Sequence, residues 1–223
     1  MSLGKKPVGG GGDFTPVPAG QYVARCISLI DLGTQDGEYA GEKFTSEKIM
    51  VFWELLETTG GDKVFMDDAG TKPYTVLKEY THSYGENSNL YGDLSTWFGE
   101  KFTDAEDFNI SDLLGEYCQI QIMHKKNTKG YVRAIVNGVF TYAGKTKPEG
   151  INELQAFDIS EPDMDVLDKQ LQFVQDKVKM SHEWKQRSSG AAAKEAVDSS
   201  FADDVDESAI QDMPDDFLKP DGK

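Results

Sequence analysis

The chain has few of the residues from which most enzymes build active sites. Of its 223 residues only two are cysteines and three are histidines, and no His, Cys and acidic residues recur at metal-ligand spacing. No glycine-rich loop is followed by Lys-Ser or Lys-Thr, so a phosphate-cradling nucleotide site is not expected. These absences predict a binding protein that is not an enzyme and needs neither cofactor nor metal.

Long apolar runs are also missing. No stretch of about 18 apolar residues occurs, which leaves no candidate for a membrane-spanning helix. The first residues, MSLGKKPVGGGGDF, contain two lysines but no apolar core of a signal peptide. Cys26 and Cys118 each lie in an apolar, strand-like run, which indicates reduced core thiols. We therefore expect a cytoplasmic location.

Positive charge is scarce and is concentrated in one segment. The formal net charge is −16, with 23 Lys and Arg against 39 Asp and Glu. Residues 119–147 nevertheless contain six cationic and no acidic side chains, whereas residues 190–223 contain three and ten. Solubility alone does not require such an exclusion of carboxylates in so acidic a chain, so we interpret residues 119–147 as a binding surface for an anion.

Alternating apolar residues predict a mainly β domain. Five strand-like runs occur between residues 20 and 142, and a helical insertion over 88–114 separates the third run from the fourth. Turns are expected at TQDGEYAGEK and at KKNTKG. Five strands with a helix between strands 3 and 4 is the order of an OB-fold-like barrel, although other small barrels and sandwiches share the strand count.

The C-terminal third predicts a helix and then a tail. Ser160 is a candidate N-cap, and a C-terminal amphipathic helix is expected behind it from the apolar stripe Met164, Leu167, Leu171, Val174 and Val178. This helix either packs on the barrel or self-associates through a short coiled coil. We expect a flexible arm over 1–12, the OB-fold-like domain over 13–150, a connecting segment over 151–188 and a disordered acidic tail over 189–223.

The segment without carboxylates also contains the aromatic residues that single-stranded nucleic acid requires. Cations bind phosphates and flat rings stack on unpaired bases, and alternate residues of a strand present both on one face. Lys48 and Phe52 of the second strand could extend this face. The candidate DNA-binding residues are Lys48, Phe52, Lys125, Lys126, Lys129, Tyr131, Arg133, Phe140, Tyr142, Lys145 and Lys147. In the alternative interpretation, the lysines keep a hairpin soluble while Phe140 and Tyr142 belong to the core.

Several short stretches together resemble bacteriophage single-stranded DNA-binding proteins with an OB-fold core and an acidic C-terminal tail. They are PVPAGQYVARC, YAGEKF leading into IMVFWELLE, LSTWFGEKF, SDLLGEYCQIQI and GYVRAIV. The resemblance covers residues 13–147 and 198–218. It implies sequence-tolerant coating of exposed strands during replication, recombination or repair, in the cytoplasm of a host cell.

The acidic tail completes the resemblance, which implies that it recruits replication or recombination proteins. The matching tip is DMPDDF, that is Asp212, Met213, Pro214, Asp215, Asp216 and Phe217. The chain departs from the family pattern because LKPDGK follows Phe217. A partner pocket that reads a terminal carboxylate beside the Phe would not find one, so the tail either uses internal residues or acts by charge. We also expect it to compete with DNA for the basic surface.

Two other classes of function remain open. A protein–protein adaptor would act through the amphipathic helix and the tail and would bind no nucleic acid. A nuclease accessory factor would need a metal-binding carboxylate cluster. Oligomeric state, a preference for DNA or RNA and the size of the binding site do not follow from the sequence.

Overall fold

The computed structural model describes residues 16–66, 70–99, 108–126, 130 and 132–189. The strands are β1 (Gly20–Tyr39), β2 (Glu42–Thr58), β3 (Tyr74–Thr81), β4 (Tyr117–Lys126), β5 (Val132–Thr141) and β6 (Gln155–Phe157). The helices are α1 (Asn89–Phe98), α2 (Met164–Asp168), α3 (Gln172–Met180) and α4 (182–189), with a 3₁₀ turn at Ile110–Leu113. The predicted mainly β class is confirmed. None of the described helices is long and apolar enough to span a membrane.

The strands form one sheet in the order β3-β2-β1-β4-β5, with every neighbour antiparallel. Within the described residues no backbone ladder joins β3 to β5, although their Cα atoms come within 8 Å. The two edges therefore do not pair, and the prediction that the strands form a barrel is wrong in this respect. The pairing of β1 with β4 ends at Arg25. Further along β1, at Ser28–Ile30, strand β6 pairs with it in parallel.

Helix α1 lies between the two unpaired edges. From β3, Lys78 Nζ and Tyr80 Oη both donate to Asp93 on the helix, at 2.5 and 2.6 Å. On the other side, Thr96 Oγ1 donates to the carbonyl oxygen of Val139 in β5, at 2.6 Å. The helical insertion predicted between strands 3 and 4 thus bridges the strands that would close a barrel.

The concave side of the sheet holds the main core. Trp53 of β2 and Trp97 of α1 meet there with ring centroids 6.2 Å apart. Cys26 and Cys118 are fully buried in the same core, and both are free thiols. Burial raises the pKa of Cys26 to about 12 and that of Cys118 well above its usual value, so neither is ionised at neutral pH. The predicted core position of both cysteines is confirmed.

A second core lies on the convex side of β1 and β2. Irregularities in the β1–β2 register at Cys26/Ser28 and at Asp31/Gly33 bring the apolar residues of β1 to both faces. The convex core contains Ile27, Ile30, Leu32, Met50 and Phe52 from the strands, and Phe157, Ile159, Leu167, Val174 and Val178 from the C-terminal segment.

The single amphipathic helix predicted within 160–187 is wrong. Helix α2 begins after Asp163, which caps it in place of Ser160, and Leu171 separates α2 from α3. Leu167, Val174 and Val178 are buried, whereas Met164 and Leu171 are 44% and 58% exposed. The stripe is interrupted because the chain turns after α2, so only part of it packs on the sheet.

A fully buried carboxylate anchors the C-terminal segment to the sheet. Glu54 of β2 accepts a hydrogen bond from Arg25 Nε at 2.7 Å, from the Asn152 backbone N–H at 2.9 Å and from Asn152 Nδ2 at 2.8 Å. Arg25 also donates to the Asn152 carbonyl oxygen at 2.6 Å. Residues 148–154 therefore cross the convex face in a fixed position before they enter β6.

We predict that Glu54→Ala lowers the free energy of unfolding by about 3–5 kcal/mol, because Arg25 and the Asn152 N–H lose a buried partner. Urea unfolding followed by tryptophan fluorescence measures the change. Glu47→Ala is the control on the same strand, since Glu47 is exposed, and should change stability by less than about 0.5 kcal/mol. Similar effects of the two substitutions would contradict the anchoring role.

Candidate nucleic-acid interface

The convex side of the β4–β5 hairpin is uncovered over most of its length. Strands β4 and β5 bury Cys118, Ile120, Ile122, Val136 and Val139 in the concave core. The opposite side chains form a surface that we call the β4–β5 outer face. Its members are Tyr117, Gln119, Gln121, Met123 and Lys125 of β4, together with Arg133, Ile135, Asn137 and Phe140 of β5.

Phe140 offers a flat apolar ring on this face. Its side chain lies over the bare backbone of Gly138, where an added Cβ would stand 2.8 Å from the Phe140 Cζ atom. Phe140 is 40% exposed and belongs to neither core. The alternative that Phe140 is a core residue is therefore wrong. Glycine at 138 leaves room for the ring to lie against the strand, which fixes one side of the ring and leaves the other accessible.

Three exposed cations lie toward the connected end of the hairpin, where β4 leads into β5. Lys125 and Arg133 are directly opposite each other, and Lys126 is opposite Val132. None of these cations makes an ion pair within the described residues. Like charges directly across a strand pair destabilise it, so folding alone does not explain this arrangement. An anion between the two side chains would relieve the repulsion.

Uncharged side chains occupy the middle of the face, and the sequence analysis did not assign them to the site. Met123 and Ile135 are opposite each other and are 46% and 36% exposed. A register shift leaves Asn137 with no residue directly opposite it on β4. Its side-chain Nδ2 donates a hydrogen bond to Gln121 Oε1 at 2.8 Å. The signal was available, because Gln121 and Met123 share the alternation of Lys125.

The aromatic residues at the open end of the hairpin, where β4 begins and β5 ends, are largely engaged with one another. The rings of Tyr117 and Tyr142 are 6.0 Å apart, and Tyr117 Oη donates to the Pro148 carbonyl oxygen at 2.7 Å. Burial raises the pKa of Tyr117. Lys147 Nζ lies 5.0 Å from the centroid of the Tyr117 ring and 3.8 Å from Glu116 Oε2. Tyr142 and Lys147 therefore already contact Tyr117, whereas Lys145 is exposed.

Phe52 and Lys48 do not extend the β4–β5 outer face. Phe52 is 5% exposed and packs in the convex core beneath the C-terminal helices, so its proposed contact with bases is wrong. Lys48 lies on β2 opposite Thr81 of β3 and donates to Thr81 Oγ1 at 2.8 Å. In the sheet, β1 separates β2 from β4, which places Lys48 away from the hairpin.

Some predicted site residues lie outside the described residues. These are Lys129 and Tyr131 of the basic segment and all six residues of the tail tip, Asp212, Met213, Pro214, Asp215, Asp216 and Phe217. Within the described part of the chain, no group of three or more His, Cys, Asp or Glu side chains is arranged to hold a metal ion.

Comparison with protein-family models finds no match for this chain, and comparison with the sequences of characterised proteins finds none either.

We predict that Arg133→Glu raises the free energy of unfolding by about 0.2–1 kcal/mol, because it replaces a like-charge pair with Lys125 by an opposite-charge pair. Urea unfolding at low salt measures the gain. Lys145→Glu makes the same change in net charge at an exposed position outside the strands and should give no comparable gain. An equal gain in both variants would assign the effect to net charge, against a cross-strand cause.

Proposed function

We propose that the chain binds single-stranded DNA through the β4–β5 outer face, without catalysing a reaction. The observation that carries the proposal is the exposed Phe140 ring on the same face as Lys125 and Arg133, in a segment with no carboxylate. Unpaired bases stack on flat rings, and cations bind the phosphates between them. Contacts of this kind tolerate many sequences, because every base has a flat face.

The dimensions of the face suit a short stretch of extended strand. Side chains on one face of a β-strand repeat every 6.6–6.8 Å or so, which puts Phe140 and Arg133 roughly 20 Å apart. Met123 and Ile135 provide apolar contact between these ends. A site of this length fits the lower part of the range of about 4–16 nucleotides that single OB folds cover.

The strand order supports an OB-like interpretation of the sheet. The order β3-β2-β1-β4-β5, with α1 between β3 and β4, is that of an OB fold left open between its third and fifth strands. OB folds are themselves partly open barrels. The C-terminal helices cover the convex core on β1 and β2, whereas the β4–β5 outer face stays accessible.

The resemblance to phage proteins suggests a role in replication, recombination or repair, with the acidic tail as partner site and as competitor for the cations. Residues 190–223 contain ten carboxylates and three lysines, which is the charge that such a competitor needs. In the adaptor alternative, the apolar stripe of α2 and α3 must be available to partner proteins. Leu167, Val174 and Val178 are instead buried against the sheet, which favours DNA binding over that use of the helix.

We predict that Phe140→Ala weakens binding of a fluorescent oligo-dT of about 15 nucleotides by roughly 5- to 150-fold, because one stacking contact contributes about 1–3 kcal/mol. Fluorescence anisotropy at about 50 mM salt measures the affinity. The matched control is Phe173→Ala on α3, since Phe173 is 44% exposed on the part of the chain that covers the other convex half. Its affinity should equal that of the unmodified chain.

A chain that ends at Ser189 serves as the second control. If neither the full chain nor this shortened chain binds oligo-dT at about 50 mM salt, the proposed function is wrong. If they bind equally, only the competition by the tail is wrong. Equal losses in Phe140→Ala and Phe173→Ala would place the site elsewhere.

We further predict that Arg133→Gln makes the affinity less sensitive to salt. Each phosphate contact that is lost lowers the slope of log K against log salt concentration by about 0.7 for a single strand. Titrations at four or five salt concentrations measure the slope for Arg133→Gln and for a control, Lys169→Gln, near the C-terminal end of α2. An unchanged slope in Arg133→Gln would remove this side chain from the interface.

A further inference from the structure

The tip of the β1–β2 hairpin carries a second exposed aromatic surface. The Phe44 ring lies over Gly37, where an added Cβ would stand 2.5 Å from the Phe44 Cζ atom. Phe44 is 47% exposed, and Tyr39 is 81% exposed. Gly37 is opposite Phe44 and Tyr39 is opposite Glu42, so both rings lie on one face of the hairpin. This arrangement of a ring on a glycine repeats the one formed by Phe140 and Gly138.

The hairpin tip is a defined structure. Both strands continue through the segment TQDGEYAGEK, which the sequence predicted to be a turn, and the turn itself consists of Ala40 and Gly41. Their φ angles are 53° and 87°, which is the positive pair that a two-residue hairpin of matching twist requires. The turn therefore fixes the backbone that carries both rings, and Gly37 lies against the Phe44 ring.

The hairpin tip that carries these rings is net negative, whereas the segment that contains Phe140 is net positive. Residues 36–47 contain four carboxylates and one lysine. Glu42 is exposed on the face of the rings, opposite Tyr39. Glu38, which is opposite Lys43, and Asp36, which accepts a hydrogen bond from His182 Nε2 at 2.8 Å, lie on the other face of the tip. Phosphates are repelled by such a surface. A cationic side chain fits it, because ring faces and carboxylates both attract cations.

We propose that the aromatic tip of the β1–β2 hairpin binds the basic end of the β4–β5 hairpin of a second copy of this chain. The complementary cations are Lys125, Lys126 and Arg133, which have no ion-pair partner within the described residues. The segment that contains them, 119–147, has six cations and no carboxylate, so nothing in its sequence repels the acidic tip.

The two surfaces lie at opposite ends of β1, which makes the contact intermolecular. The connected end of the β4–β5 hairpin extends beyond Gly20, which is opposite Ile122, whereas the acidic tip lies at Tyr39, the other end of β1. A strand of 20 residues is roughly 65 Å long if straight. The contact joins two different surfaces, so copies add head to tail and the assembly grows with concentration.

The association is expected to be weak. A contact between two hairpin tips is small beside the roughly 1,000–1,200 Å² of a stable interface, so we expect a dissociation constant on the order of 100 µM. The net charge of −16 opposes association, but at about 0.15 M salt charges interact over only about 8 Å, so the local pairs decide. The proposal rests on the proposed function in one respect: DNA should compete for the same cations.

Sedimentation velocity of the full chain from about 10 to 300 µM tests the association, and we expect the mean mass to rise at least ~1.5-fold over this range. The double variant Glu38→Lys/Glu42→Lys and the double variant Lys125→Glu/Arg133→Glu should each stay at the mass of one chain. An equimolar mixture of the two should associate again, because each supplies the charge that the other lost. Saturating oligo-dT should return the unmodified chain to single copies.

Matched controls separate this contact from others. Tyr39→Ser/Phe44→Ser should abolish association, whereas Phe173→Ser, another exposed ring, and Glu153→Lys/Glu161→Lys, another exposed acidic pair, should not. A single-copy mass throughout for the unmodified chain would overturn the proposal, as would a mixture of the charge-reversed variants that fails to associate. Loss of association only in a chain that ends at Ser189 would also overturn it, in favour of the tail. The DNA titration is read separately, so failure of DNA binding leaves the association test intact.

Discussion

The burial of Glu54 constrains how the rest of the chain can be arranged. A carboxylate with no exposed surface is costly unless donors surround it, and in this protein they come from Arg25 on β1 and from the backbone and side chain of Asn152. The requirement brings residues 148–154 across the convex face of the sheet. From that crossing the chain enters the space beside β1, where β6 pairs at Ser28–Ile30.

The crossing by residues 148–154 divides the convex face into two halves. Beyond the crossing, α2, α3 and α4 cover β1 and β2, and polar contacts hold them there. Glu183 of α4 accepts from the Thr34 backbone N–H at 2.9 Å and from Thr34 Oγ1 at 2.6 Å. Desolvation alone would raise the Glu183 pKa, yet these hydrogen bonds lower it overall. The β4–β5 outer face lies before the crossing and stays uncovered, so one anchoring carboxylate decides which part of the sheet is accessible.

The sequence predicted the parts of this arrangement that depend on local alternation. Cys118, Ile120 and Ile122 alternate with polar residues, and the structure buries all three. The same rule failed for Phe52, which alternates as regularly as Phe140 does. Whether an outward ring is exposed depends on what covers it, and the cover is supplied by a segment more than 100 residues away in sequence, Leu167 to Val178. No local pattern carries that information.

Two further errors have the same origin in long-range packing. The register irregularities in β1 let one strand supply both cores, but bulges leave no clear mark in a run such as CISLIDLG. The apolar stripe after Ser160 fits a continuous helix by spacing alone. In the structure the helix is interrupted at Leu171, and a turn between α2 and α3 brings Val174 and Val178 against the sheet. Periodicity predicted which residues form the apolar stripe. Packing against the sheet determines which of them are buried.

Charge explains why one structural device can have two uses in this molecule. Phe140 on Gly138 and Phe44 on Gly37 are the same arrangement of a ring held flat against a strand. A ring face accepts a nucleobase or a cationic side chain, and its own chemistry does not choose between them. In the two proposed uses the surrounding charge would choose: the cations of residues 119–147 would attract phosphates to the first face, and the carboxylates of the hairpin tip would repel them from the second. Because the two rings lie toward opposite ends of β1, a molecule of strongly negative net charge can keep one cationic surface for an anionic ligand while its other end stays complementary to that surface.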